Sequence, residues 1–166
     1  MKKNNWKAGL AILLGWMWSI TSFAQITSVQ LRQFLLDSRS PGVKEFYTRL
    51  NYQPAWIQSK SKIQCEILLG VLKRSANLGL RESDYPINDM EALCNAAGLR
   101  FQDLNDSLEA ELRITKAAID FYSDVAFGNI KPALGYNGLG YEPGCVDVPA
   151  LLADHFLKGE LQLLLF

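Results

Sequence analysis

Apolar positions along this chain recur mainly at spacings of three and four, the period of one helix face, and strict alternation is nearly absent. The longest such run spans about Asp106 to Phe127. Within it Leu108, Leu112, Thr115, Ile119, Tyr122 and Ala126 form a stripe that predicts the spine of a core. Asp106 and Glu109 suit a capping box at its start, with Asp in place of the usual Ser or Thr, and Gly128 and Pro132 stop it. A second strong pattern, Ile63 to Leu78, gathers Ile63, Ile67, Leu68, Val71, Leu72 and Ser75 on one face. Gly79 fits the left-handed position after it, with Leu80 packing back as in a Schellman cap. Shorter helices are expected over Val29–Leu36 behind a Ser28 cap and over Val43–Leu50 after the break at Ser38–Gly42. Two more are expected, one from Asn88 to about Ala97 and one behind an Asp147 cap, with Pro149 in its first turn and Leu151, Leu152 and Phe156 inward. One or two short extended segments near Tyr52–Ile57 are the most strand this pattern allows. The expected fold class is therefore all-α.

The first 24 residues read differently. Lys2, Lys3 and Lys7 precede an apolar stretch from Ala8 to Ile20, and Ser22-Phe23-Ala24 offers small residues at the −3 and −1 positions. This is the pattern of a secretory signal peptide, with cleavage expected between Ala24 and Gln25. The apolar stretch falls short of the roughly 20 residues a spanning helix needs, so no membrane span is expected after processing. The expected location is the periplasm, and the processed chain, 25–166, would have 142 residues, the size of one domain with a substantial core.

The leader removes three of 17 basic residues and no acid, leaving 14 against 17 and a net charge of −3. No basic patch interleaves with aromatic residues, which argues against a nucleic-acid partner. Cys65, Cys94 and Cys145 all follow the leader. In an oxidising compartment three cysteines allow one disulfide, and their positions leave its pairing open against buried free thiols. The cysteines are far apart and His155 is the only histidine, so neither a metal site nor a cofactor is expected.

Three segments carry more specific information. Phe46-Tyr47-Thr48-Arg49-Leu50-Asn51-Tyr52-Gln53-Pro54-Ala55-Trp56-Ile57 joins a helix end to an extended Tyr-Gln-Pro-Ala-Trp stretch, in which Pro54 forbids further helix and Trp56 is delivered on extended chain. Leu78-Gly79-Leu80 precedes Asp84-Tyr85-Pro86. Leu112, Ala117, Phe121-Tyr122 and Val125 lead to Gly128, Ile130 and Pro132. In this order, over about residues 43–160, the three resemble the helical scaffold domain of large periplasmic L,D-transpeptidases, enzymes that cross-link peptidoglycan. The chain departs from that family at Arg81-Glu82-Ser83, where a Pro-bearing turn is common.

The resemblance implies a role in cell-wall biogenesis, with peptidoglycan or a catalytic L,D-transpeptidase domain as partner. It also implies what to look for as chemistry: a His followed downstream by Ser-x-Gly-Cys-x-Arg, the thiolate attacking a stem-peptide bond. Gly144-Cys145-Val146 matches only the centre of that motif. Glu142 stands in place of its Ser and Asp147 in place of its Arg, an acid that would raise a thiol pKa. No catalytic residue and no enzymatic activity are therefore expected of this chain alone. The end at Leu163-Leu164-Leu165-Phe166 lies where the family continues, so a C-terminally truncated scaffold domain is expected. A stand-alone module that binds peptidoglycan or a partner protein, or the remnant of a truncated gene, is the alternative.

The remaining candidates are surface features by this reading. Tyr47, Tyr52 and Trp56 offer a candidate aromatic contact surface for sugar, against the alternative that they pack the segment onto the helices. Glu109 with Glu111, and Asp120 with Asp124, are expected on solvated faces, Lys116 pairing with Asp120. The glycines from Gly128 to Gly144 are expected to form a loop.

Overall fold

A computed structural model describes residues 26–58, 61–96, 101, 103–128 and 146–164. The leader with Ala24 and Gln25, the loop expected between Gly128 and Gly144, and Cys145 lie outside the described residues. Among the described residues there are six α-helices and no strand, so the all-α expectation holds. The helices are α1 (Ser28–Leu36), α2 (Pro41–Arg49), α3 (Lys62–Leu72), α4 (Ile87–Ala96), α5 (Leu104–Phe127) and α6 (Val148–Lys158). Short 3-10 turns follow α3 (Ser75–Leu78 and Glu82–Asp84) and α6 (Leu161–Leu163).

The 24-residue α5 is the spine, as its stripe predicted, but its buried face is broader and rotated. Leu108, Thr115 and Tyr122 are buried, joined by Glu111, Ile114, Ala118 and Phe121, whereas Leu112 and Ile119 are half-buried and Ala126 is exposed. α2 and α6 pack closely on each other and on α5. Gly42 makes their approach possible: a Cβ there would lie 3.1 Å from Pro149 Cγ and 3.6 Å from Ile119 Cγ2. On the other side α3 pairs with α4 and with the turn at Leu161–Leu163, whose Leu161 is fully buried.

Helix starts follow side-chain chemistry with a shift of a few residues. Thr27, not Ser28, caps α1, in a capping box with Gln30, whose amide oxygen accepts from the Thr27 backbone N–H at 2.9 Å. Asp103, not Asp106, caps α5, accepting from Asp106 N–H at 2.8 Å. α2 begins at Pro41 because proline presets the helical φ and has no N–H to leave unpaired. α4 begins at Ile87, one residue before the expected Asn88 cap. Asp147 caps α6 as expected, accepting from Ala150 N–H at 3.0 Å.

Three helix ends share one device. After α2, Asn51 at φ 51° donates to Thr48 O and Tyr52 to Tyr47 O at 2.8 Å. After the Ser75–Leu78 turn, Gly79 at φ 76° donates to Ala76 O and Leu80 to Ser75 O. After α6, Gly159 at φ 72° donates to Phe156 O and Glu160 to His155 O. Each is the paired pattern of a Schellman motif, which satisfies the last free carbonyls and reverses the chain.

The second predicted helix does not run unbroken to Leu78. It ends at Leu72, where the Arg74 backbone N–H bonds Val71 O while the Arg74 Nε takes the Gly70 carbonyl that an α-helical N–H would have bonded. Its buried face is Cys65, Leu68, Val71 and Leu72; Ile63, expected inward, is 66% exposed at the first turn. Near Tyr52–Ile57 residues 53–55 are irregular, and their polar backbone is satisfied in another way, described below.

Cys65 and Cys94 form a disulfide between α3 and α4, with Cα atoms 5.6 Å apart, which settles the pairing that sequence left open. The other side-chain ties of α4, Lys73–Glu91 and Arg113–Asp89, are exposed ion pairs of little energetic weight. The bridge closes a loop with a sequence separation of 29, for which chain entropy gives about 3–4 kcal/mol. Reduction by dithiothreitol, or the Cys65→Ser/Cys94→Ser pair, should lower the urea-unfolding free energy by about that much. An unchanged midpoint would show that the bridge carries no such load.

Candidate functional site

Glu111 lies two turns into α5 with no exposed surface. Buried carboxylates need partners, and this one finds them in the backbone of the turn after Pro54. The N–H groups of Ala55 and Trp56 donate to Oε1, and those of Trp56 and Ile57 to Oε2, the last three contacts each at 3.1 Å. The Tyr47 hydroxyl from α2 adds a contact to Oε1 at 3.0 Å. The carboxylate therefore does for this turn what a neighbouring strand does for an edge: it occupies three consecutive N–H donors that would otherwise be buried and unpaired.

A second polar layer lies one turn along α5. Thr115 Oγ1 donates to the Glu111 carbonyl at 2.9 Å, accepts from the Trp56 indole Nε1 at 2.8 Å and lies 2.6 Å from the Tyr47 hydroxyl. Around these groups the packing is aromatic. The Trp56 ring stacks on Phe46 at 6.1 Å between centroids and meets Phe156 of α6 edge-on at 5.0 Å. Trp56 thus touches three helices, α2 and α6 through rings and α5 through its N–H.

Burial pushes the Glu111 carboxyl above its ordinary value of 4.5, while the three N–H donors and Tyr47 pull against that shift. Burial first, and any charge on the adjacent Glu111 second, pushes the Tyr47 phenol well above its ordinary range, so Tyr47 stays a neutral hydroxyl. At the other end of α5, burial first and a 2.9 Å hydrogen bond to Asp124 second raise the Tyr85 phenol.

The three aromatic residues expected to form a contact surface do not share one. Tyr47 and Trp56 each have 0% exposure and belong to the core, the packing alternative weighed for them. Only Tyr52 reaches solvent, half-buried at φ 58° with the Arg32 guanidinium 5.5 Å above its ring. Glu111, expected on a solvated face, is the correction of greatest consequence. A signal for it existed: it lies three residues after Leu108 and four before Thr115, on the stripe itself. Asp120 pairs with Lys116 at the surface as expected.

The arrangement binds its own backbone and leaves no carboxylate oxygen directed at solvent, which is the geometry of a structural clamp. Among the described residues no group of three or more His, Cys, Asp or Glu side chains is placed to hold a metal ion.

A family model described as Scaffold domain matches residues 41–165, from the first residue of α2 to the end of the chain's last 3-10 turn and just beyond. Nothing among curated proteins and nothing among solved structures matches.

Glu111→Ala would strand three backbone N–H groups, at about 1–3 kcal/mol each, and should destabilise the fold by about 4 kcal/mol or more in urea unfolding. Thr115→Val keeps the volume but removes the acceptor of the Trp56 indole, and should cost about 1–3 kcal/mol. A loss under about 0.5 kcal/mol for either would show that the clamp is not what holds the turn.

Proposed function

This chain belongs to the scaffold-domain family, and from that premise we propose that it is the scaffold module of an L,D-transpeptidase-like system that cross-links peptidoglycan in the periplasm. The observation that carries the reading is the coincidence of the family match over 41–165 with a helical body in which the block Phe46 to Ile57 is clamped to α5. The most distinctive segment of the sequence has a constructional task there, holding α2, α5 and α6 in one arrangement.

Two further observations support the reading. The Cys65–Cys94 bridge suits a protein that folds in an oxidising compartment, in keeping with export behind residues 1–24. It also removes two of the three thiols from nucleophilic chemistry. The polar groups concentrated in the core, Glu111, Tyr47 and Thr115, are spent on one another and on the backbone. In this proposal the chain performs no chemistry by itself; a catalytic domain with its own His and Ser-x-Gly-Cys-x-Arg does, and this module positions it or the glycan strand beside it.

The test is reconstitution. The purified chain is incubated with disaccharide tetrapeptides, with and without an L,D-transpeptidase catalytic domain, and products are followed by liquid chromatography and mass spectrometry. The chain alone should yield no cross-linked dimer, and its addition should raise the yield of the catalytic domain or its retention on peptidoglycan sacculi. Cross-linking by the chain alone, lost in Cys145→Ala, would overturn the assignment. Indifference of both sacculi and catalytic domain to the chain would do the same. In the cell, the intact mass of the exported product should begin at Gln25.

A further inference from the structure

The clamp has an uncommon charge balance. Glu111 is fully buried and receives donors from the turn, through Ala55, Trp56 and Ile57, and from α2, through Tyr47. α6 presents the Phe156 ring to Trp56, and α5 itself contributes the uncharged Thr115. Among the described residues Tyr47 is the one other titratable side chain facing the carboxyl, and it is neutral. No lysine, arginine or histidine pairs with Glu111 among the described residues, where the ion pairs are all at the surface.

A carboxylate buried without a cation is stabilised either by its donors or by a proton. The hydroxyls here can hold that proton with no heavy atom moving. With Glu111 ionised, Tyr47 donates to Oε1. With Glu111 protonated, Oε1–H donates to the Tyr47 oxygen at 3.0 Å. The Tyr47 hydroxyl then turns to Thr115 Oγ1 at 2.6 Å, and Thr115 keeps its bond to the Glu111 carbonyl at 2.9 Å. Thr115 Oγ1 has two lone pairs, one for Tyr47 and one for the Trp56 indole. Oε2 still accepts from Trp56 and Ile57. Ala55 N–H, whose partner is Oε1, then meets the remaining lone pair of the Oε1 hydroxyl, so each donor around the chain Glu111–Tyr47–Thr115 keeps an acceptor in the protonated state.

We propose that the closed Trp56 turn holds one proton at Glu111, stored in the Glu111–Tyr47–Thr115 hydrogen-bond chain, and releases it to water when residues 55–57 lift from α5. The turn is then a proton-linked latch. The burial that raises the carboxyl above 4.5 acts in the same direction. The sign follows: the folded state binds this proton more tightly than the open state. The latch is therefore fully stabilised below about pH 4.5, and that stabilisation is lost as pH rises through the value of the closed state.

Hydrogen exchange of the full chain tests this, read by mass spectrometry or NMR at the amides of Ala55, Trp56 and Ile57 between pH 4 and 8. Corrected for the intrinsic pH dependence of exchange, their protection should fall about tenfold per pH unit above 4.5 until the closed state ionises, then level off. The Met90 amide, bonded to Pro86 outside the clamp, serves as reference and should show no such slope. Glu111→Gln should make protection at the turn independent of pH. Should that variant fail to fold, the infrared carbonyl band of a protonated carboxylic acid, sought in the parent at pH 5–6, decides the matter. A flat protection profile in the parent, or no acid band at that pH, would overturn the proposal and leave Glu111 ionised in the closed turn.

Discussion

The fold depends on one carboxyl group that replaces a missing stretch of secondary structure. Pro54 and the left-handed pair Asn51-Tyr52 end α2 and forbid its continuation, so the backbone from Ala55 to Ile57 enters the core without helix or strand partners. Buried N–H groups in that condition cost about 1–3 kcal/mol each. Glu111 meets three of them with two oxygens. Once those bonds exist, Trp56 is held between Phe46 and Phe156, and α2 and α6 have a common hard surface to pack against. The close contact of Gly42 with Pro149 lies along the same α2–α6 seam.

The rest of the molecule is secured by more ordinary means. Schellman ends at Asn51, Gly79 and Gly159 turn the chain sharply after helical segments and leave few carbonyls unpaired. The α3–α4 pair has a covalent tie in Cys65–Cys94, where α2, α5 and α6 have the polar clamp and the aromatic stack. The molecule therefore has two centres of cohesion, one covalent and one hydrogen-bonded, joined through the packing of Leu161 and α5.

Much of this was legible in the sequence. The all-α class, the long spine, the Gly79 and Leu80 cap and the Asp147 cap followed from period and capping chemistry, which act over three or four residues. What escaped depended on particular side-chain partners, some of them local and some far along the chain. Thr27 displaced Ser28 as a cap because Gln30 completes its box, and α3 stopped at Leu72 because Arg74 reached back to Gly70. Glu111 escaped because a carboxylate is ordinarily a surface residue, and its position on the apolar stripe between Leu108 and Thr115 was the one local sign otherwise. Tyr47 and Trp56 looked available for a ligand for a similar reason: sequence shows an aromatic cluster but not the helix that covers it.

The clamp also orders events in time. Glu111 is separated from Ala55, Trp56 and Ile57 by 54 to 56 positions, so no local segment can rehearse the contact. A chain emerging amino-terminus first presents α1, α2 and the Trp56 turn long before α5 exists to receive them, and through that interval Trp56 is an uncovered apolar surface. The Cys65–Cys94 loop can close before α5 begins, which gives the growing chain one fixed pair of helices. The second centre of cohesion must wait for residue 111, and commitment to the complete fold falls in the latter part of the chain.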